Sequence, residues 1–343
     1  IIWSMLITSL TTSTIITMAS THWLLAWISL ELNTLSILPI MMKHHHPRAT
    51  EATTKYFIIQ AAAAANILLA STITAWQTGQ WSILHTNSTT ATALATSALI
   101  LKLGLAPAHL WYPEVMQGTT LYTAMLISTW QKIAPLTLLY LMHHNLNPTT
   151  IMLLGLISTA TGGWAGLNQT QTRKIMAFSS IAHMGWLLAA LVSSQNLATL
   201  TMILYLSTTI AIFITLAATT TKTIMDIGTT WTTSPTMMTM TLIMLMSLAG
   251  LPPLTGFMPK WLIIKKLTIT GLMPISMALL ITSLPSLYFY TRLAYTTTLT
   301  TPPTTTSEKL KWRFNTKLNI TTTPLITIAC LLLPATPTLY NST

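Results

Sequence analysis

The sequence predicts an all-α polytopic membrane protein with about eleven transmembrane helices. Of its 343 residues, 51% are hydrophobic and only 6% are charged, whereas soluble domains carry about 25% charged residues. The mean hydropathy is +0.60. Apolar windows of roughly 20 residues, the length that a helix needs to cross a bilayer, follow one another along the chain with short polar connections.

These windows define the predicted spans in chain order. The spans are 3–20, 23–42, 56–76, 91–110, 119–142, 150–168, 175–194, 198–220, 236–266 with a break, 273–296 and 321–340. We expect a single membrane domain over 1–343, with a first repeat at about 1–145, a second repeat at about 146–296, and a loop with a C-terminal helix at 297–343.

The basic residues predict the orientation of the chain. The loops with even numbers, including the long loop near 297–320, hold most of the lysines and arginines: Lys43, Arg48, Lys55, Arg173, Lys174, Lys222, Lys309, Lys311, Arg313 and Lys317. Lys265 and Lys266 run against this trend. By the positive-inside rule, the N-terminus lies on the positive side, and an odd number of crossings places the C-terminus opposite. The net charge of +11 therefore reflects topology and does not indicate nucleic-acid binding.

Two stretches predict broken helices. In SALILKLGLAPAHLWYPEV, an apolar helix carries Lys102 and is then interrupted by glycine and proline. A similar stretch, LAGLPPLTGFMPKW, begins at Leu248. Three positions recur at one offset of 146 residues: Gly104, Pro107 and Pro113 correspond to Gly250, Pro253 and Pro259. Paired broken helices in two halves of a chain are typical of transport sites between inverted repeats. The alternative is two unrelated proline kinks.

Ionisable residues inside the spans are the candidate site residues. They are Glu31, Lys102, Lys132 and Lys260. Each costs about 2.5–3.5 kcal/mol on insertion scales, which favours a functional role, although a buried structural pair or a snorkelling lysine is the alternative. Glu31 and Lys102 have opposite charges at comparable depth, and at about 4 Å their attraction would be about 4 kcal/mol. This pair predicts either a switch or a static salt bridge.

Other residues carry weaker signals. His109 and His183 could relay protons because histidine titrates near neutral pH, or each could be a hydrogen-bonded histidine with a structural role. The run from His44 to His46 is interpreted as a solvated interface segment. With Cys330 as the single cysteine, a disulfide within the chain and a cysteine-ligated iron–sulfur cluster are excluded. We expect no metal and no cofactor site, since the sequence has no Walker or G-x-G-x-x-G motif.

Four passages carry a resemblance to a known family: GLAPAHLWYPEV, STWQKIAP, GLNQTQTRKIMAFSSIAHMGW and GLPPLTGFMPKW. They resemble the chain 2 family of mitochondrial NADH–ubiquinone oxidoreductase (respiratory complex I) in its vertebrate form, over essentially the whole chain. That family is similar to bacterial cation/proton antiporter subunits, which have two inverted five-helix repeats. The resemblance implies that Glu31 and Lys102 form the coupled pair, that Lys132 is the central relay and that Lys260 is the exit-side lysine.

The resemblance also implies partners and a location. NADH, FMN, iron–sulfur clusters and ubiquinone would lie in or between partner subunits, and the partners would be other core and accessory subunits, with membrane lipids including cardiolipin. The chain would lie in the mitochondrial inner membrane with its N-terminus toward the matrix and its C-terminus toward the intermembrane space. The functional hypotheses are therefore a proton-pumping subunit of complex I, a free-standing cation/proton antiporter, and a membrane scaffold with inert buried charges.

Overall fold

The computed structural model describes residues 2–43, 46–84, 88–299, 322–331 and 333–335, and within them the regular structure is helical apart from isolated bridges. The chain divides into two compact units, Ile1–Leu154 and Gly155–Thr343. The first unit contains α1 (Ile2–Ala19), α2 (Trp23–Met42), α3 (Pro47–Thr78), α4 (Thr89–Leu103), α5 (Trp111–Gly118), α6 (Leu121–Ser128), α7 (Trp130–Leu141) and the start of α8 (Pro148–Gly166). The remaining helices are α9 (Thr172–Ser193), α10 (Gln195–Ala218), α11 (Ile224–Thr233), α12 (Pro235–Ala249), α13 (Phe257–Ile269), α14 (Met273–Leu299) and α15 (Thr322–Leu331).

In the first unit, α3 is the helix around which the others pack, with α2, α4 and α5 against it. Its ends are well defined by the sequence. His46 caps the N-terminus by accepting a hydrogen bond from the Arg48 backbone, and Pro47 stands at the first position, where a missing N–H has no cost. Gly79 ends the helix with a left-handed φ of 71°, a conformation that glycine adopts without strain.

In the second unit, glycine allows α8 and α9 to pack at short range. A Cβ built on Gly185 would lie 2.6 Å from the Gly155 carbonyl oxygen, a distance that no side chain can occupy. α10 lies against α9, α12, α13 and α15. Arg292 of α14 donates to the backbone carbonyl oxygens of Leu167 and Gln169, beyond the end of α8. These contacts join α14 to the connection that follows α8.

Six of the described helices are long and apolar enough to cross a membrane by length and composition: α1, α2, α3, α9, α10 and α14. Two shorter apolar helices, α4 and α12, are the ones that end at the expected breaks. An additional helix, α11, forms where a connection was expected, and Thr223 starts it with a capping box. Its ten residues lack the length to cross a bilayer.

The expected span 119–142 is divided into α6 and α7 at Thr129, where φ is −112° and ψ is −71°. The visible sequence signal in this span, Pro135, lies inside α7. The hydroxyl and the backbone N–H of Thr129 both donate to the Met125 carbonyl oxygen, at 2.6 Å and 3.0 Å, and a hydroxyl that bonds back to the preceding turn tends to bend a helix. The division therefore precedes the lysine of this span.

Parts of three expectations fall outside the described residues. For the basic loop expected near 297–320, residues up to 299 belong to α14, and the part from residue 300 onward is not among the described residues. The last span was expected at 321–340, and its described part is α15 with a short 3₁₀ turn at Leu333–Ala335. Of the histidine run, only His46 is described, and its exposed side chain agrees with a solvated segment.

Candidate functional site

The first helix break lies directly after Lys102. α4 ends at Leu103, Gly104 follows with φ 69° and ψ 38°, and the helix resumes at Trp111 as α5. A left-handed residue at this position strongly favours glycine. A break leaves the last carbonyl groups of α4 without helical donors, and the Gln60 side-chain amide approaches the Lys102 carbonyl oxygen at 3.5 Å. The expected interruption near Pro107 is therefore present.

Lys102 and Lys132 line one small cavity in the first unit, with a volume of about 10 Å³. The exposed fractions are 6% for Lys102 and 2% for Lys132, so both side chains face the interior of the unit. Polar and aromatic side chains share the lining: Asn33, Thr34, Tyr56, Gln60, Trp111, Tyr112 and Gln131. A polar cavity of this size has room for about one water molecule.

Within the described residues, the Lys102 amine has no hydrogen-bond partner. In the described part of the chain, it forms no ion pair with Glu31 within 4.0 Å. Glu31 is half-buried, and its carboxylate accepts a hydrogen bond of 3.1 Å from the Thr34 hydroxyl. The structure thus places Glu31 and Lys102 apart, with no direct ion pair between them among the described residues.

Lys132 lies beside aromatic and amide groups. Its amine is 4.8 Å from the centre of the Tyr112 ring, within the range of a cation–π interaction. The preceding residue, Gln131, donates from its amide nitrogen to the Asn33 side-chain oxygen at 3.1 Å and accepts from the Tyr56 hydroxyl at 3.4 Å. Sequence reasoning missed Asn33, Tyr56 and Gln131. The available signal was the presence of amide side chains inside apolar spans, next to the candidate charges.

The second unit contains a break of the same kind. α12 ends at Ala249, Gly250 has φ 86° and ψ 42°, and α13 begins at Phe257. The Lys260 amine donates to the Ala249 carbonyl oxygen at 3.0 Å, one of the groups that the break leaves without a helical donor. It also lies 5.9 Å from the Trp186 ring. Lys260 is half-buried and is therefore less enclosed than the two lysines of the first unit.

Two cavities flank Lys260, with volumes of about 40 Å³ and about 10 Å³. His183 lines both, and its ring centre is 6.0 Å from that of Tyr205. The other candidate histidine, His109, is half-buried between α4 and α5, where its Nδ1 lies 3.3 Å from the Pro107 carbonyl oxygen. The structure thus brings His183 to Lys260, whereas the described lining of the Lys102 cavity does not include His109.

Comparison with protein families gives two matches. The family described as NADH:quinone oxidoreductase/Mrp antiporter, transmembrane region, matches residues 20–285. The family described as NADH dehydrogenase subunit 2 C-terminus matches residues 287–340. NADH-ubiquinone oxidoreductase chain 2 of Carassius auratus is 50% identical over 339 residues, which covers 98% of this chain and 97% of the relative. The chain belongs to the NADH-ubiquinone oxidoreductase chain 2 family.

Other relatives and solved structures agree with this assignment. The same-named protein of Anas capensis is 49% identical and covers 98% of this chain and 97% of its own length. A chain of respiratory complex I from Thermus thermophilus with bound aureothin has a TM-score of 0.80 at 24% identity, covering 96% of this chain and 78% of its own. A chain of the Mrp complex from Dietzia has a TM-score of 0.81 at 15% identity, covering 98% and 75%. These structural matches establish the shared fold, and family membership with the apolar helices identifies an integral membrane protein.

Proposed function

We propose that the chain is a proton-translocating membrane subunit of the mitochondrial NADH–ubiquinone oxidoreductase, which couples electron transfer in partner subunits to proton movement across the inner membrane. The observation that carries this proposal is the cavity of the first unit. Two buried lysines line it: Lys102, from the interrupted span, and Lys132, from the divided span. Buried ionisable residues inside membrane spans are expensive and mark ion paths, and broken helices are the usual frame of such sites.

The chemistry follows from the positions of the charges in the first unit. A buried amine is stabilised in its charged form by a nearby carboxylate and is destabilised when that carboxylate moves away. The distance between Glu31 and Lys102 thus governs whether Lys102 holds its proton. Because Lys132 lines the same cavity, a proton released by Lys102 can reach Lys132 through a water in that space. Lys132 is the central relay in this mechanism. Lys260 is the exit-side lysine, and His183, which lines the same two cavities, is a candidate proton relay beside it.

The separated geometry of Glu31 and Lys102 favours a switch over a static salt bridge, since a static bridge requires direct contact. Glu31→Gln removes the charge and keeps the shape of the side chain. If the pair is a switch, the assembled complex carrying Glu31→Gln pumps protons much more slowly than the unaltered complex. If Glu31 only supports assembly, the amount of complex falls while pumping per assembled complex stays normal. Proton uptake per assembled complex in liposomes distinguishes the two.

The architecture that accompanies this function has about eleven spans in two inverted five-helix repeats, at about 1–145 and 146–296, followed by a loop and C-terminal helix at 297–343. A helix break after a left-handed glycine in each unit supports the repeats. The N-terminus faces the matrix and the C-terminus the intermembrane space. Cysteines introduced singly into connections, in a Cys330→Ser background, test the orientation by their labelling from each side.

The chain itself needs no redox group in this proposal. NADH, FMN, iron–sulfur clusters and ubiquinone belong in or between partner subunits. The partners are the other core and accessory subunits, together with membrane lipids that include cardiolipin. Nucleic acid is not a partner. Among the described residues, no group of three or more His, Cys, Asp or Glu could hold a metal ion. Purification in mild detergent tests the assembly. Co-purifying flavin and iron–sulfur clusters support the complex, whereas a chain that isolates alone and exchanges cations for protons supports the antiporter alternative.

A further inference from the structure

The helical hydrogen-bond pattern around Lys132 is interrupted on both sides. Thr129 divides the span just before α7, with φ −112° and ψ −71°. The regular helical pattern is interrupted there, and the Lys132 N–H donates to the carbonyl oxygen three residues earlier, that of Thr129, at 3.3 Å. Pro135 lies inside the same helix and has no N–H. The carbonyl group four residues earlier, that of Gln131, therefore has no helical donor. The short segment that carries Lys132 lies between these two defects.

The Gln131 side chain supplies tertiary bonds at this point. Its amide nitrogen donates to the Asn33 side-chain oxygen on α2 at 3.1 Å, and its amide oxygen accepts from the Tyr56 hydroxyl on α3 at 3.4 Å. The exposed fractions of Gln131, Asn33 and Tyr56 are 8%, 2% and 2%. Buried hydrogen bonds of this kind are costly to break because the partners left behind are unsatisfied. A single amide thus joins α7 to both α2 and α3.

We propose that Gln131 is a positioning residue for proton transfer: its hydrogen bond to Asn33 holds the weakly supported start of α7 so that the adjacent Lys132 faces the cavity that Lys102 also lines. Because Asn33 belongs to α2, which carries Glu31, the same bond links the helix of the carboxylate to the helix of the relay lysine. This inference rests on the proposed function and deepens it, since it assigns a role to a neutral side chain that never carries the proton.

The experiment uses the intact complex, assembled with each variant chain and reconstituted into liposomes. Gln131→Leu removes both hydrogen bonds at similar volume. The exchange variant, Gln131→Asn with Asn33→Gln, restores an amide pair of the same total length. Gln77→Leu is the matched control, because Gln77 is exposed on α3. Lys132→Met is the reference for loss of the relay itself. NADH-driven proton uptake per assembled complex and its pH profile are measured for all four.

The positioning role predicts that Gln131→Leu lowers the proton-uptake rate per assembled complex roughly tenfold, a smaller loss than the roughly 100-fold that a displacement of about 1 Å of a reacting group can cause. It also predicts an altered pH profile, recovery of most of the rate in the exchange variant, and no change in Gln77→Leu. If Gln131→Leu fails to assemble, the exchange variant alone decides, and an assembled exchange variant with the unaltered complex's rate and pH profile supports the role.

Three results would overturn the inference. A normal rate per assembled complex in Gln131→Leu, together with loss of pumping in Lys132→Met, leaves the proposed function intact but removes the role of Gln131. An exchange variant with no more activity than Gln131→Leu shows that this hydrogen bond is not what matters. Unchanged pumping in Lys132→Met overturns the proposed relay and, with it, any positioning of that relay.

Discussion

Substitution of Gly104 by alanine tests whether the helix break beside Lys102 needs its observed geometry. Gly79 provides a matched control, because both glycines end a helix in the left-handed region, with φ of 69° and 71°. Their surroundings differ. A Cβ on Gly104 would lie 3.1 Å from the Tyr112 Cβ and 3.3 Å from the Trp111 ring, whereas a Cβ on Gly79 would meet nothing within 4 Å. Since Tyr112 is 1% exposed, it has no room to move aside.

The magnitudes follow from these two environments. A left-handed residue that is not glycine costs about 1–2 kcal/mol, so Gly79→Ala should destabilise the chain by about that amount. Gly104→Ala adds the cost of overfilling a packed site, about 1–3 kcal/mol, for a total of about 2–5 kcal/mol. We expect its complex to lose half of its pumping activity at a temperature at least about 1 °C below that of Gly79→Ala, because unfolding entropy grows with chain length and this chain has 343 residues. Equal inactivation temperatures for the two variants would refute this account of the break.

Two further predictions concern the second unit. Gly185→Ala should destabilise the chain by about 1–3 kcal/mol or more, since its Cβ would lie 2.6 Å from both the Gly155 oxygen and a Thr159 carbon. The amount of assembled chain should therefore fall strongly. Normal assembly on native gels would contradict the close packing. Burial acts to raise the pKa of Asp226, but hydrogen bonds from Thr223 and the preceding backbone N–H outweigh it and lower that pKa. Because its pKa is lower in the folded chain than in the unfolded chain, the Asp226 carboxylate stabilises the fold above about pH 4. This stabilisation is lost as the pH falls below that value. Asp226→Asn should therefore unfold more readily at pH 7, with the difference shrinking below about pH 4; a difference that does not change with pH would refute this assignment.

The sequence was sufficient to predict the breaks, because their causes are local. Gly104 and Gly250 adopt the left-handed conformation that glycine favours, and the prolines after them prevent the helices from continuing directly. The interior location of Lys102 and Lys132 was also predictable, since a charge inside an apolar span must face protein or water. Both side chains are buried beside one cavity. For these features, composition and spacing carry the necessary information.

Other features depend on contacts that spacing does not encode. The hydrogen bond from Gln131 to Asn33 joins residues far apart in sequence, and only the packing of α2 against α7 brings them together. The division at Thr129 was missed because Pro135 is the obvious helix breaker in that span, yet the helix tolerates it. The separation of Glu31 from Lys102 was also not predictable, since opposite charges in two spans define an attraction but not a distance.

Proton uptake driven by NADH in liposomes, measured per electron transferred, tests the central claim most directly when Lys132→Met is compared with Lys43→Met. Both variants make the same chemical change. Lys132 is 2% exposed beside the cavity, whereas Lys43 is exposed at the end of α2. A relay at Lys132 predicts that the first variant pumps fewer protons per electron while the second equals the unaltered complex. An unchanged ratio in an assembled Lys132→Met complex would contradict proton translocation through this residue.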